Sequence, residues 1–284
     1  MKCWGFDMNP ILNELSLEGQ YSDVDKFVEL GLKPLLKILK LVQQFDFELQ
    51  KKTDLWQRRV TLNQTLHDLI KVRHFSAGQK FKLLLHRITN DPPFWDTNPE
   101  QSANDQYFSG MIDVSGTSVA EACARKSNLL SFSDSNFSSC QIEVIKNKSE
   151  ILKLNNFVDV ESFLNWLYQK GEISFSQFIT GKFVGSRLEF SRLLPEYGFD
   201  SLHNSEYQSF LDSFCIFVSL SWAEIHKHPG LKYREFHDRK FAGKASGKTY
   251  KFNVSAKMRC HGFREDDKFV VLAFERDHKL SDSG

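Results

Sequence analysis

The chain has 284 residues, 41% of them hydrophobic and 13% aromatic, with 26 Phe; that is enough apolar surface for a packed core and excludes a disordered chain. Its formal net charge is only +1, from 37 Lys and Arg against 36 Asp and Glu, so bulk charge selects no polyanionic partner. Five cysteines, Cys3, Cys123, Cys140, Cys215 and Cys260, are odd in number and widely spaced, which excludes a disulfide framework and any zinc-finger spacing.

Alternation in ILNELSLEGQY predicts a strand near the start. After Ser22 as cap, DVDKFVELGLKPLLKILKLVQQF has helical periodicity, with a break or kink at Gly31 to Pro34. LWQRRVTLNQTLHDLI and SAGQKFKLLLHRIT are further helical patterns, and NDPPFWDTNPEQSANDQ is the clearest loop. GTSVAEACARK predicts a short helix, and NLLSFSD and CQIEVIK predict strands. DVESFLNWLYQK sets Val160, Phe163, Leu164 and Leu167 on one helical stripe, with Asp159 as its cap. A strong helix then begins at Ser205, with Tyr207, Phe210, Phe214, Phe217 and Trp222 on one broad face, and ends near HKHPG.

An α+β protein follows from this mixture. Residues 1–204 form a larger domain of helices and strands, and residues 205–284 form a helix with a small antiparallel sheet. The boundary is placed at Glu196 to Ser205, where PEYGFDSLHNS collects turn formers. The opening MKCWGFDMNP lacks the apolar run of a signal peptide, and no run of about 18 apolar residues is present to cross a membrane. A cytoplasmic location with no membrane partner is the expectation.

Charge is concentrated in the tail. From Lys232 to Lys279 there are 13 Lys and Arg against 7 Asp and Glu, a local balance of +6. GKTYKFNVSAKMRCHGF reads as one long alternating strand, REDD as a turn, and KFVVLAFERDHK as a second strand, apolar on both sides and therefore central. Tyr250, Phe252 and Cys260 face the helix that starts at Ser205, while Lys251, Lys257, Arg259 and His261 occupy the other face. Residues two apart on a strand sit roughly 6.5 to 7 Å from each other, which suits successive phosphates of RNA or DNA. The competing expectation is a solvated Lys/Arg face of the kind many half-exposed sheets carry. Upstream, KYREFHDRKFAGKASGK adds Lys240 and Lys248 among other cations.

This arrangement of a basic loop, an alternating strand ending in Arg, an acidic turn and an apolar strand ending in His-Lys resembles the RelE/HigB-type bacterial mRNA interferase toxins. The resemblance covers about the last 55 residues. It implies a small antiparallel sheet that holds RNA, free or on the ribosome, and a role as a toxin in toxin–antitoxin or antiviral defence. By position it makes Arg259 the holder of the scissile phosphate, His278 the acid that protonates the leaving oxygen, and Lys240 and Lys248 the basic residues of the preceding loop. Such toxins are much shorter, so the resemblance leaves the upstream residues without a role.

Cleaving RNA through its own 2′-hydroxyl needs a base, a cation for the phosphorane charge and an acid; it needs no metal or cofactor. His261 and His278 are the natural proton pair, with Arg259, Arg264 and Lys257 supplying charge and Lys251 extending the phosphate track. The N-terminal domain is then expected to sense a trigger, dock an antitoxin or other partner, or restrain the module. The alternative is a non-enzymatic interaction protein whose basic sheet binds nucleic acid or an acidic protein. Other motifs fail: GKASGKT lacks the P-loop glycine spacing and precedes a strand, and neither HExxH nor GxSxG occurs.

Overall fold

A computed structural model of the chain describes residues 9–71, 79–133, 135–236, 245 and 247–277. It divides into two units, Met1–Phe163 and Leu164–Gly284, and both mix helices with strands, so the protein is α+β.

The first strand, β1 (Ile11–Leu12), is shorter than its alternation predicts. The Asn13 side chain accepts a hydrogen bond from the Leu15 N–H at 3.1 Å and turns the chain into a helical turn at Glu14–Ser16. Asp23, not Ser22, caps the next helix, accepting from the Lys26 N–H at 2.8 Å. From there α1 (Val24–Lys26) passes through a wider π-type segment, Phe27–Leu32, into α2 (Lys33–Gln44). The expected break is absorbed by this change of register, which accommodates a proline that has no N–H to offer. Gly31 is required there, because a Cβ would lie 2.4 Å from the Tyr21 hydroxyl.

LWQRRVTLNQTLHDLI is helical only at its end. A turn at Leu55–Gln57 leads into the hairpin of β2 (Arg59–Thr61) and β3 (Gln64–Thr65), followed by α3 (Leu66–Lys71). The β-branched pair Val60 and Thr61, with Asn63 in the turn, outweighs the helical spacing. The helix α4 (Gln79–Asn90) matches its prediction. After the proline loop come β4 (Tyr107–Ser109), β5 (Ile112–Asp113), α5 (Ser118–Arg125), β6 (Leu129–Leu130), β7 (Gln141–Lys146) and β8 (Glu150–Phe157).

These strands form one mixed sheet in the order β1-β6-β8-β7-β4-β5, with β1, β6 and β8 parallel and the remaining pairs antiparallel. Its apolar face and α5 share a core that includes Ile11, Val119, Leu129 and Val144. Beneath α5 the buried Glu14 carboxylate accepts from the Ser118 N–H, at 3.1 and 3.2 Å to its two oxygens. The helix α6 (Val160–Gln169) is capped by Asp159, which accepts from the Ser162 N–H at 2.8 Å, as predicted.

The second unit continues with α7 (Phe175–Lys182), β9 (Leu188–Glu189), α8 (Tyr207–Ser219), α9 (Trp222–Lys227), β10 (Arg234–Glu235), β11 (Thr249–Asn253), β12 (Arg259–Glu265) and β13 (Lys268–Glu275). Its sheet runs β10-β11-β12-β13-β9 and is antiparallel except for the β13/β9 pair. The boundary expected at Glu196 to Ser205 therefore falls inside this unit: β9 lies upstream of it yet belongs to the C-terminal sheet, and Phe199 and Leu202 between them are buried. The helix from Ser205 is also two helices, because Ser221 and Glu224 form a capping box that starts α9 afresh.

The largest difference lies in the tail. GKTYKFNVSAKMRCHGF is not one strand but two, β11 and β12, joined by a tight turn. Ser255 Oγ accepts from the Lys257 and Met258 N–H groups at 3.3 and 3.1 Å, and the Val254 N–H donates to the Met258 carbonyl at 3.0 Å. Ser-mediated turn bonds thus defeat the alternation. The apolar face of the sheet packs on α8 as expected, with ring centroids of Phe217 and Phe252 4.7 Å apart and of Phe210 and Phe274 4.9 Å apart. The strand β13 is central as expected, flanked by β12 and β9. Among the described residues no helix is long and apolar enough to cross a membrane.

Candidate functional site on the C-terminal sheet

Register places the chemistry on one face. Across the sheet Arg234 stands opposite Lys251, Lys251 opposite His261, and His261 opposite Ala273. In the adjacent row Asn253 stands opposite Arg259, and Arg259 opposite Glu275. Directly opposed residues share a face, and so do residues two apart on one strand. Arg234, Lys251, Arg259, His261 and Glu275 therefore converge on the face away from α8.

This face is not the solvated basic surface the alternation suggests. Lys251 is 5% exposed, Arg259 7%, His261 1% and Glu275 2%. The Phe236 ring lies over two of them: Lys251 Nζ is 3.9 Å from its centroid, and the His261 ring is 5.1 Å away. Further along the same face Phe263, Val270 and Leu272 pack with Leu194 and Tyr197. Both faces of the sheet are covered, which periodicity alone does not reveal.

Inside the cluster His261 Nε2 lies 2.8 Å from Glu275 Oε2. With Glu275 ionised the carboxylate only accepts, so Nε2 is the donor of this contact, and in the neutral imidazole the lone pair is then on Nδ1. Arg259 is committed elsewhere. Its Nη1 donates to the Ser255 and Met258 carbonyls, both at 2.8 Å, and its Nη2 donates to the Ala256 carbonyl at 3.1 Å. The guanidinium thus ties down the β11–β12 turn, and burial lowers its pKa while Glu275 opposes that shift and Arg234 adds to it.

The remaining residues singled out by sequence scatter. Lys248 is exposed and pairs with Glu235 at 2.8 Å, which raises its pKa. Lys257 is exposed in the β11–β12 turn. Arg264 lies on the opposite face, its guanidinium 4.2 Å from the Trp222 ring centroid and its Nε donating to the Asp266 carbonyl at 2.8 Å. The structure thus brings together Lys251, Arg259 and His261 but neither Lys257 nor Arg264. Lys240 and His278 lie outside the described residues. Sequence reasoning missed Glu275 and Phe236; the available signal for Glu275 was a lone carboxylate closing an otherwise apolar central strand.

Comparison with protein-family models, with curated proteins and with solved structures finds no match to this chain.

Proposed function

We propose that the C-terminal unit cleaves RNA without a metal, as a cytoplasmic toxin or antiphage-defence effector, with the Lys251–His261–Glu275 cluster at its centre. One observation carries this reading: a carboxylate holds an imidazole beside an ammonium on one sheet face, where a structural role could be filled by apolar side chains at lower cost. Burying charged groups costs several kcal/mol each before pairing compensates, and titratable clusters retained against that cost are candidate functional sites.

In the proposed reaction Glu275 fixes the imidazole, and His261 Nδ1 takes the proton of an RNA 2′-hydroxyl. The 2′-oxygen bonds to phosphorus, the bond from phosphorus to the 5′-oxygen breaks, and His278 protonates that oxygen. The products are a 2′,3′-cyclic phosphate and a 5′-hydroxyl. Lys251 offsets the charge that builds on the phosphorane oxygens. Arg259 becomes a positioning residue that holds the turn, in place of the phosphate-holding role implied by the resemblance. Because Phe236 covers Lys251 and His261, RNA must displace that ring, and Phe236→Ala is expected to raise the cleavage rate.

A second reading is favoured by the same burial: the cluster is structural, and the unit binds an acidic partner through exposed cations such as Lys248 and Lys257. The two readings separate on Lys251→Met, which keeps the side-chain bulk and removes the charge. Under the enzymatic reading this variant stays folded and loses RNA cleavage by about 10²-fold or more, the scale of a lost electrostatic donor. Under the structural reading neither protein cleaves RNA, and Phe236→Ala changes only stability.

A further inference from the structure

In the first unit α2 and α4 line a cleft of about 340 Å³ that the C-terminal chemistry does not use. Its apolar floor includes Leu36, Leu39, Leu84 and Ile88, of which Leu39 and Leu84 remain half-buried. Its rim is basic: Lys33, Lys37 and Lys40 come from α2 and Arg87 from α4. Among the described residues no carboxylate lines it. Lys33 is paired with Glu29, whereas Lys37, Lys40 and Arg87 form no ion pair among the described residues. Lys37, Lys40 and Arg87 are exposed.

We infer that this cleft docks an acidic amphipathic helix of a partner protein. Lys33, Lys37 and Lys40 recur at a spacing of four and three residues, so they form one row along α2. At 1.5 Å per residue the row extends about 10 Å. A helix lying along α2 presents carboxylates at the same repeat while its apolar stripe enters the floor between α2 and α4, the helix-in-groove mode of recognition. A small anionic amphiphile has one head group and satisfies one cation of the row, so the row selects a helix. The inference concerns the first unit and is independent of the RNA reading.

The test uses the full chain and a dye-labelled synthetic peptide with Leu on one helical face and Glu on its flanks, followed by fluorescence anisotropy. A peptide of the same composition with its Leu residues scattered serves as control, and dodecanoate serves as a small amphiphile. Saturable binding of the amphipathic peptide is expected, with clearly weaker binding of the scrambled one. Charge reversal in Lys37→Glu/Lys40→Glu is expected to weaken binding by about tenfold or more, and Lys37→Gln/Lys40→Gln by less, since like charges across an interface repel. Both positions are solvent-facing, so far-UV circular dichroism should match the parent. Equal binding of the scrambled peptide, unchanged affinity after charge reversal, binding of dodecanoate alone, or no binding of either peptide would overturn the inference.

Discussion

The buried Glu14 carboxylate offers a test at the scale of one residue. Burial raises its pKa above the ordinary 4.5, and the hydrogen bonds from Ser118 only partly oppose the shift. The folded state then holds the proton more tightly than the unfolded state, so ionised Glu14 costs stability at neutral pH. That cost disappears as pH falls through the raised value, and the gain is complete below the unfolded value. Glu14→Gln removes the titration while keeping an acceptor for the Ser118 N–H. Urea unfolding should therefore show the parent gaining stability relative to Glu14→Gln on acidification from neutral pH towards 4.5. A gap that stays flat would mean that the Ser118 bonds balance burial, and one that moves the other way that they outweigh it; either would contradict the raised pKa. Individual residues were legible where their neighbours in sequence decide their role, as with the Asp159 cap. His261 was legible as a candidate but not as a buried one, since Glu275 and Phe236 reach it only through tertiary register.

At the scale of the element, the β12–β13 pair carries a bulge between His261 and Gly262 that sets which residues face the cluster. A Cβ on Gly262 would fall 2.3 Å from the Val270 carbonyl oxygen and 2.8 Å from the Phe269 ring. The carbonyl belongs to the adjoining central strand and cannot withdraw without breaking the ladder. Gly262→Ala should cost about 1–3 kcal/mol, the usual penalty of overpacking. Gly247→Ala, where a Cβ meets nothing within 4 Å, should leave the denaturation midpoint in place. Equal midpoints for the two variants would remove the close approach as a constraint. Helices with strong stripes, such as α4 and α6, were readable from local spacing, and in α6 the Asp159 cap agrees with it. The β11–β12 turn was not, because Ser255 breaks an alternation that continues unchanged through it, and the β2–β3 hairpin was hidden beneath helical spacing.

At the scale of the whole molecule, a first unit that mixes helices with strands and a small antiparallel sheet in the tail both follow from composition and pattern, whereas the parallel pairings and the division between the units do not. A two-residue strand such as β9 has no periodicity to detect, yet its pairing with β13 assigns the region upstream of Glu196 to the second unit. The functional claim likewise rests on what the second unit gathers from three separate strands, and cleavage chemistry tests it most directly. Purified full chain is incubated with single-stranded RNA in EDTA, with ribosomes added in a parallel set, and the ends of the products are identified. The account predicts 2′,3′-cyclic phosphate ends, with rates reduced about 10²- to 10⁴-fold in His261→Ala and in His278→Ala, as for loss of a general base or acid, in protein whose thermal unfolding remains cooperative. Absence of cleavage by the parent in both sets, or equal rates for the parent and a folded His261→Ala, would contradict it.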